Sequence, residues 1–266
     1  MSELNKQTEF LFAHLEDLCE DAEKGIFRAS EFYSPAELVQ VRRWVSSRGR
    51  GSCARVWGGY EDADRARVYF LPDYMMSDGE ESVSEILSLY GHEDPTAVLR
   101  IEGSGFRVLS HRDYMGTVLS LGIERDTTGD IVVHGDHTAY LFCDRTIAPY
   151  IAENLRKIAN DAATVTESPI PEGSFGVKQF KELRDTVASL RFDAVVASAC
   201  NLSRENAKRT VTSGLCELNY EQIASPDAEI EVGDVFSVRG YGKYKFASCG
   251  GENVRGRLRI CIYKYV

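Results

Sequence analysis

The amino-acid sequence predicts an α+β protein made of three small domains, and three observations lead to this fold class. Residues 1–74 combine two amphipathic helical segments with two short strand segments, which indicates a small α/β domain. Residues 75–168 carry the element order β-α-β-β-α-β. Residues 188–266 begin with two short helical segments and continue as strands, after a linker and a lead-in helix expected at residues 169–187.

The first domain opens with a helix expected over residues 4–24, where apolar side chains recur at helical spacing. A second helix is expected to begin after Ser34, because Ser34 suits the N-cap, Pro35 suits the first turn and Glu37 completes a capping box. Strands are expected over residues 53–59 and 66–71, joined by an acidic turn. This region contains no nucleophile, metal-binding or phosphate-binding motif.

The central domain is predicted from six segments that alternate between helical and strand periodicity. Strands are expected over residues 97–101, 129–133, 139–143 and 163–167, and helices over residues 111–121 and 147–158. A short helix over residues 83–90 is expected to precede them. This order is typical of ferredoxin-like and RRM-like domains, many of which bind RNA and many of which do not.

Two aromatic residues on the third strand of this domain allow two interpretations. Tyr140 and Phe142 alternate onto one face of the strand, and RRM domains stack bases on that face. The basic-aromatic consensus of RRM domains is missing around these residues, so core packing is favoured over base stacking.

The last domain is predicted to begin with two short helices that present a basic surface. Phe192 and Val195 lie on the apolar face of the first helix, and Ser203 stands at the N-cap of the second. The second helix is expected over residues 204–213, with Gly214 as its C-terminal stop. Its polar side carries three basic residues: Arg204, Lys208, Arg209. Such a face suits phosphate oxygens, although it also occurs as a plain solvated surface.

Charge and cysteine content set further limits. The chain has a formal net charge of −10, and its seven cysteines include no Cys-x-x-Cys pair, which favours reduced thiols over disulfides or a zinc site. Residues 188–266 hold 11 basic and 9 acidic residues, whereas the rest holds 20 basic and 32 acidic residues. Nucleic-acid affinity is therefore expected from a local patch in the last domain. With no membrane-spanning run and no signal pattern, a cytoplasmic protein is expected.

The last domain resembles the S4 RNA-binding domain, which occurs in small-subunit ribosomal protein S4, several pseudouridine synthases and tyrosyl-tRNA synthetases. The resemblance rests on four motifs in order: Arg191-Phe-Asp, Ser203-Arg-x-x-Ala-Lys, Leu218-Asn-Tyr, Val232-Gly-Asp. The family pattern has Gly where this chain has Tyr220 and Pro where it has Val232, and both departures affect turns only. The resemblance implies an S4 fold with a C-terminal β extension.

Nearly the whole chain resembles the bacterial YlmH-type family of S4-domain proteins. The central signature of that family is Ser-His-Arg-Asp, then Leu-Gly-Ile-x-Arg, then Gly-Asp-Ile, and it matches this chain from Ser110 and from Leu121 onward. Phe32-Tyr-Ser-Pro-Ala-Glu and Tyr69-Phe-Leu-Pro-Asp-Tyr match its N-terminal domain, and Val238-Arg-Gly-Tyr-Gly-Lys matches its C-terminal part. This chain is more acidic than family members are expected to be, which concerns affinity more than fold.

The YlmH-type resemblance implies a function in ribosome-associated quality control. Such proteins bind large ribosomal subunits that still hold a peptidyl-tRNA after a stall, and they support the addition of alanine tails to the blocked chain. The expected partners are large-subunit rRNA, peptidyl-tRNA and an alanine-tailing factor, with no membrane partner, and the chain is expected to be a monomer. No catalytic residue, metal or cofactor is expected, so the protein is not expected to be an enzyme.

Eight residues are expected to contact RNA under this interpretation. Five belong to the two helices and three to the hairpin and the basic-aromatic segment after it: Arg191, Ser203, Arg204, Lys208, Arg209, Arg239, Lys243, Lys245. For the last three, a solvated strand edge is an equal alternative. Arg112 and Arg125 in the central signature allow either contact with tRNA or rRNA, or ion pairing with Asp113 or Asp130.

Two other classes of protein remain open. One is an S4-bearing RNA-modifying enzyme such as a pseudouridine synthase, although those enzymes usually place the S4 domain first and a catalytic Asp after it. Here the S4-like segment comes last, and Asp193 belongs to its opening helix. The other is an adaptor that binds protein through an S4 fold, and it would show no salt-dependent affinity for RNA.

Overall fold

The structure is a computed structural model that describes residues 3–49, 53–76, 81–171, 175–176 and 178–265. The chain divides into two compact units, formed by residues 1–177 and 178–266. The fold is mixed α/β, with three sheets and seven α-helices among the described residues. The predicted division of the first 168 residues into two domains is not confirmed, because both regions lie within the first unit.

The N-terminal part of the first unit packs two helices on a three-stranded antiparallel sheet. Its elements are α1 (Glu3–Glu23), β1 (Arg28–Ala29), α2 (Pro35–Ser47), β2 (Ala54–Trp57) and β3 (Arg67–Phe70), with β3 between β1 and β2. The predicted capping box begins α2. The Ser34 hydroxyl accepts from the Glu37 backbone N–H, and the Glu37 carboxylate accepts from the Ser34 backbone N–H. Leu15, Val41 and Val68 are among the buried side chains of its core.

A second sheet in the same unit has the predicted β-α-β-β-α-β order with one added strand. After α3 (Val83–Leu89), its elements are β4 (Thr96–Gly103), α4 (His111–Ser120), β5 (Thr128–Val133), β6 (Thr138–Asp144), α5 (Ala148–Asn154), β7 (Lys157–Ile158) and β8 (Asp161–Glu167). Antiparallel pairing gives the strand order β5-β6-β4-β8-β7. The helices α4 and α5 pack on one face, where Leu99, Tyr114 and Ile151 are buried.

The helix predicted over residues 147–158 is shorter than expected. It ends at Asn154, Leu155 leaves the helical conformation, and β7 begins at Lys157. Ala159, at a φ of 52°, then turns the chain into β8. Pairing with β8 therefore overrides the helical periodicity at the end of this segment.

Aromatic side chains of the same unit cover part of the opposite face of this sheet. Tyr140 is 6% exposed and Phe142 is 0% exposed, and both pack in one cluster with Tyr60 and Phe175. The ring centroids of Tyr60 and Phe142 are 5.1 Å apart, and those of Tyr140 and Phe175 are 5.2 Å apart. The prediction of core packing is therefore confirmed, and the alternative of base stacking on Tyr140 and Phe142 is wrong.

Two buried arginines and one carboxylate join the two sheets of the first unit. Arg65 donates to three backbone carbonyls at 2.8 to 3.0 Å, and Arg67 forms a 2.9 Å ion pair with Asp144 of β6. Asp130 of β5 accepts from the Tyr60 hydroxyl at 2.8 Å and from two backbone N–H groups of the loop before β3 at 2.7 and 3.2 Å. Buried polar groups are stable only with such partners. These contacts therefore hold the two sheets together within the unit formed by residues 1–177.

The second unit has a six-stranded antiparallel sheet with two helices against it. Its elements are β9 (Phe180–Val187), α6 (Phe192–Cys200), α7 (Arg204–Thr212), β10 (Cys216–Leu218), β11 (Glu221–Ile223), β12 (Val235–Val238), β13 (Gly242–Glu252) and β14 (Leu258–Tyr265). The strand order is β11-β10-β12-β13-β14-β9. The core of this unit includes Phe192, Val211, Phe236 and Ile262, which come from both helices and from the sheet.

The lead-in helix predicted within residues 169–187 is wrong for residues 180–187, which form β9. This strand pairs along its whole length with β14. Leu183 and Val187 pack against the core, whereas Phe180 and Glu182 point away from it. The alternation is that of a half-buried strand, and the edge of β14 supplies the hydrogen-bonding partners.

The reactivity of the cysteines tests the burial described above. All seven are free, and burial raises the pKa of Cys19 to about 12, of Cys143 to about 12 and of Cys216 to about 11. The thiolate is the reactive form, so a raised pKa leaves less of it at pH 8. We expect iodoacetamide to label these three thiols more slowly than the half-buried Cys249 in native protein, measured by mass spectrometry. Equal rates before and after unfolding in urea would contradict this result.

Replacement of Asp130 by Ala is expected to destabilise the first unit, because three donors lose their acceptor. Hydrogen bonds to charged groups contribute about 1.5–3 kcal/mol each, so we expect the free energy of unfolding to fall by about 2–4 kcal/mol. Urea denaturation followed by circular dichroism measures the change. Asp136→Ala, at an exposed turn of the same sheet, is the control and should stay within about 0.5 kcal/mol of wild type. Similar losses in the two variants would argue against the role given to Asp130.

Candidate nucleic-acid interface

The basic helix α7 is set by signals within its own sequence. The Ser203 hydroxyl accepts from the backbone N–H of Asn206 at 3.2 Å, as predicted for an N-cap. Ala207 and Val211 are buried in the core, and Gly214, at a φ of 67°, follows the end of the helix. The helix therefore turns one face to the core and leaves its basic face exposed.

A buried carboxylate holds two of the arginines that the sequence assigns to RNA binding. Asp193, in the first turn of α6, is 3% exposed. The Arg204 Nη2 atom lies 2.9 Å from both carboxylate oxygens, and the Arg191 Nε atom lies 3.3 Å from Oδ1. The two arginine side chains are 50% and 43% exposed, so each keeps donors toward solvent. Because one carboxylate offsets one of two guanidinium charges, the cluster stays net positive.

The remaining basic residues of α7 are exposed. Lys208 forms no salt bridge with any residue that the structure describes. Arg209 pairs with Glu205 one turn earlier, and both side chains are largely in solvent. Exposed ion pairs of this kind contribute little and are screened by salt, so Arg209 can exchange Glu205 for another anion at little cost.

The exposed carboxyl group of Asp227 lies near two of these cations and offsets part of their charge. Its pKa lies below the ordinary value, first because the Ser225 hydroxyl donates to it, and further because of the charges of Arg191 and Lys208. Arg191 from the start of α6 and Lys208 from α7 therefore act on one region. We call the set that the two helices bring together the helix patch: Arg191, Ser203, Arg204, Lys208, Arg209.

Of the other three predicted residues, Arg239 lies in the turn between β12 and β13, and Lys243 and Lys245 lie on β13. Arg239 is exposed and lines an open groove of about 770 Å³, which extends from Gly214 after α7 to Lys243 on β13. Lys243 and Lys245 alternate with the buried Tyr244, so both point away from the core. The groove therefore places Arg239 and Lys243 beside the C-terminal end of α7.

Lys243 lies between two aromatic rings. Its Nζ atom is 4.9 Å from the centroid of the Tyr220 ring and 5.0 Å from that of the Tyr265 ring. Tyr220 stands in the turn between β10 and β11, where it has a φ of 67° and Asn219 has a φ of 50°. The sequence identified Tyr220 as a departure in a turn, but it gave no sign of the contact with Lys243.

The two arginines of the central signature belong to the first unit and do not form the ion pairs considered from the sequence. Arg112 is exposed at the start of α4. The carboxylate of Asp113 pairs with Arg107 and not with Arg112, with 3.6 Å between Asp113 Oδ1 and Arg107 Nη2. The Arg125 side chain donates to the Thr128 hydroxyl at 3.1 Å, and burial lowers its pKa.

Sequence reasoning missed the most buried charged group of the interface. The sequence placed Asp193 in the first turn of a helix, but it gave no sign that the carboxylate is buried or that its shortest contact is with Arg204 of the next helix. Among the described residues, no group of three or more His, Cys, Asp and Glu side chains could hold a metal ion. None of the described helices has the length and apolar character needed to cross a membrane.

Replacement of Arg204 by Ala is expected to destabilise the second unit, because Asp193 would keep only its longer contacts with Arg191. Breaking a fully buried ion pair lowers the free energy of unfolding by about 3–5 kcal/mol. Because half of the Arg204 side chain is exposed, we expect the free energy of unfolding of this unit to fall by about 1–3 kcal/mol. Faster hydrogen exchange of the α6 amides measures the loss. Lys208→Ala on the same helix is the control and should leave the exchange unchanged. Equal protection in both variants would show that Asp193 does not need Arg204.

Three comparisons with known proteins bear on the identity of the chain. Residues 96–172 match a family described as "Putative RNA-binding domain in YlmH". "Ribosome-associated protein quality control protein P2" of Bacillus subtilis (strain 168) is 26% identical over 233 residues, which cover 88% of this chain and 85% of that protein. The solved structure of "Cell division protein ylmH from Streptococcus pneumoniae" is 18% identical and has a TM-score of 0.44, over 64% of this chain and 93% of that chain. The family match and the Bacillus subtilis relative agree with the signature residues, so the comparisons support the resemblance of this chain to the YlmH-type family.

Proposed function

We propose that this protein binds rRNA of the large ribosomal subunit through the helix patch and acts in ribosome-associated quality control. The main support is the helix patch itself, where a buried carboxylate presents basic side chains at one surface of an acidic chain. The name of the Bacillus subtilis relative supports the ribosomal setting. The family matched by residues 96–172 supports RNA as a ligand of the chain, but that match lies in the first unit and does not include the helix patch.

The second unit, in this proposal, is an S4-type RNA-binding domain with a C-terminal β extension. The helices α6 and α7 and the strands β10 to β12 carry the S4-like motifs in the expected order, and β13, β14 and β9 extend the sheet. Asp193 of the first motif binds Arg204 of the second. This contact gives a physical reason for the presence of both motifs in one chain.

The chemistry of the helix patch suits phosphate oxygens of a folded RNA. Guanidinium groups offer several N–H donors in a fixed plane, and the pairing with Asp193 holds those of Arg191 and Arg204 in position before any ligand arrives. Lys208 and Arg209 add charge that is free to follow the RNA backbone. The excess of acidic residues in the rest of the chain opposes indiscriminate binding to nucleic acid.

The large subunit in this proposal still holds a peptidyl-tRNA after a stall, and the protein supports alanine tailing by a separate factor. The protein contributes binding and positioning only. It is therefore proposed to be no enzyme, to need no cofactor, and to act as a monomer in the cytoplasm.

The double variant Lys208→Gln and Arg209→Gln tests the helix patch without disturbing Asp193, which keeps both arginines. We expect tagged wild-type protein to sediment with large ribosomal subunits on sucrose gradients at low salt, and the variant to stay near the top. In a binding titration, the dependence of log affinity on log salt should flatten by about one unit for each phosphate that the variant no longer binds.

Arg42→Gln and Arg43→Gln on the exposed side of α2 provide the matched control, because they remove the same charge from the first unit. This control should sediment like wild type. If the helix-patch variant also sediments like wild type, the patch assignment is wrong. If wild-type protein joins no large subunit at any salt concentration, the ribosomal proposal itself is wrong, and a modifying enzyme or an adaptor becomes the better interpretation.

A further inference from the structure

One face of the sheet in the second unit carries aromatic and basic side chains that take no part in the core. Tyr263 and Tyr265 on β14 alternate with the fully buried Ile262 and with Lys264, and Lys243 and Lys245 alternate with buried residues on β13. Phe180 lies opposite Tyr265 at the start of β9. This face is the one that points away from the core.

The rings on this face form one continuous chain of contacts. Phe180 stacks on Tyr263 with centroids 5.4 Å apart, and it meets Tyr265 edge-on at 4.9 Å. The Lys243 ammonium lies 5.0 Å from the Tyr265 ring and 4.9 Å from the Tyr220 ring. We call this set of five residues the aromatic platform: Tyr220, Lys243, Tyr265, Phe180, Tyr263.

Tyr220 is in an unfavourable backbone position for a large side chain. Its φ of 67° lies in the left-handed region, which favours Gly, and the S4 pattern has Gly at this turn. Residues held in such conformations collect at binding sites, where the fold around them overrides the strain. The chain thus places an aromatic ring where the backbone alone favours none, and that ring lies over a lysine.

We infer that the aromatic platform binds unpaired nucleotides of RNA, with bases stacked on its rings and phosphates beside Lys243 and Lys245. This inference rests on the proposed function and adds a second contact surface to it. Aromatic rings interleaved with cations on an open sheet are the usual means of binding single-stranded nucleic acid. A duplex hides its base faces, so the platform should discriminate against it.

Two further features point to RNA as the ligand. Lys243 also lines the groove that extends to Arg239 and to Gly214 after α7, so the platform continues into a groove that holds a second residue predicted to contact RNA. The nearest acid on β9, Glu182, is already paired with Arg184 at 2.7 Å. Glu217, which lines the same groove as Lys243, accepts from the Ser237 hydroxyl at 2.9 Å. Lys243 and Lys245 supply the positive charges on β13 beside the rings, where they can meet a phosphate backbone.

Cross-strand aromatic pairs also stabilise sheets, and the variants must separate that role from binding. Tyr220→Gly does so, because Gly is favoured at a positive φ and the ring is the main group removed. Tyr220→Phe is its matched control, because it keeps the ring at the same place. Tyr265→Thr removes a second ring and keeps a residue that favours strands.

The experiment uses full-length protein and fluorescence anisotropy with two labelled probes, an unstructured single-stranded RNA of twelve nucleotides and an RNA duplex of the same length. We expect wild-type protein to prefer the single strand. Tyr220→Gly should weaken single-strand binding by about 5- to 150-fold, the factor for removing the stacking of one base, with an unchanged salt slope, unchanged duplex binding and a melting temperature no lower than wild type. Tyr220→Phe should bind like wild type.

The outcomes distinguish this inference from the proposed function. Unchanged single-strand binding by Tyr220→Gly and Tyr265→Thr, or a wild-type preference for duplex, would overturn the platform. If the Lys208→Gln and Arg209→Gln variant loses RNA binding in the same assay while the platform variants do not, the helix patch stands and the platform falls. If wild-type protein binds neither probe nor ribosomes, the proposed function fails together with the platform.

Discussion

The burial of the Asp193 carboxylate is the constraint on which the basic surface of the second unit depends. A buried carboxylate is strongly destabilising unless it is paired, so α6 can hold Asp193 only where cations reach it. Arg191 and Arg204 reach it from the N-cap of α6 and the first turn of α7, and this pairing sets the two helices against each other. The same contacts place both guanidinium groups at the surface near Lys208. Stability and recognition therefore depend on the same side chains.

A comparable constraint organises the first unit. Arg65 and Arg67 are buried, and the acceptors that satisfy them come from segments far apart in the chain. Together with the cluster of Tyr60 and Phe175, these contacts close the part of the sheet face that RRM domains use for stacking. RNA contact by this unit would have to use another surface. In the second unit, by contrast, the aromatic residues of β14 remain on the side away from the core.

Short-range signals predicted much of the secondary structure, and long-range pairing explains the failures. The caps at Ser34 and Ser203 and the order of elements over residues 97–167 follow from neighbouring residues, and the structure confirms them. Residues 180–187 were expected in a linker with a helix, yet they form a strand because β14, far along the chain, offers an edge. The end of the helix predicted over residues 147–158 fails for the same reason, since β8 pairs with it.

The sequence by itself determined where the helices of the second unit begin, which residues cap them and which basic residues share a face, because these properties depend on spacing within one or two turns. Only the tertiary structure decided which of those basic residues form salt bridges. Arg204 and Lys208 are four residues apart and share the basic face of α7. Arg204 binds a buried carboxylate from another helix, whereas Lys208 forms no salt bridge among the described residues. The contact between the Tyr220 ring and Lys243 also depends on the tertiary structure. The two residues are far apart in the chain, and only the folded sheet brings them together.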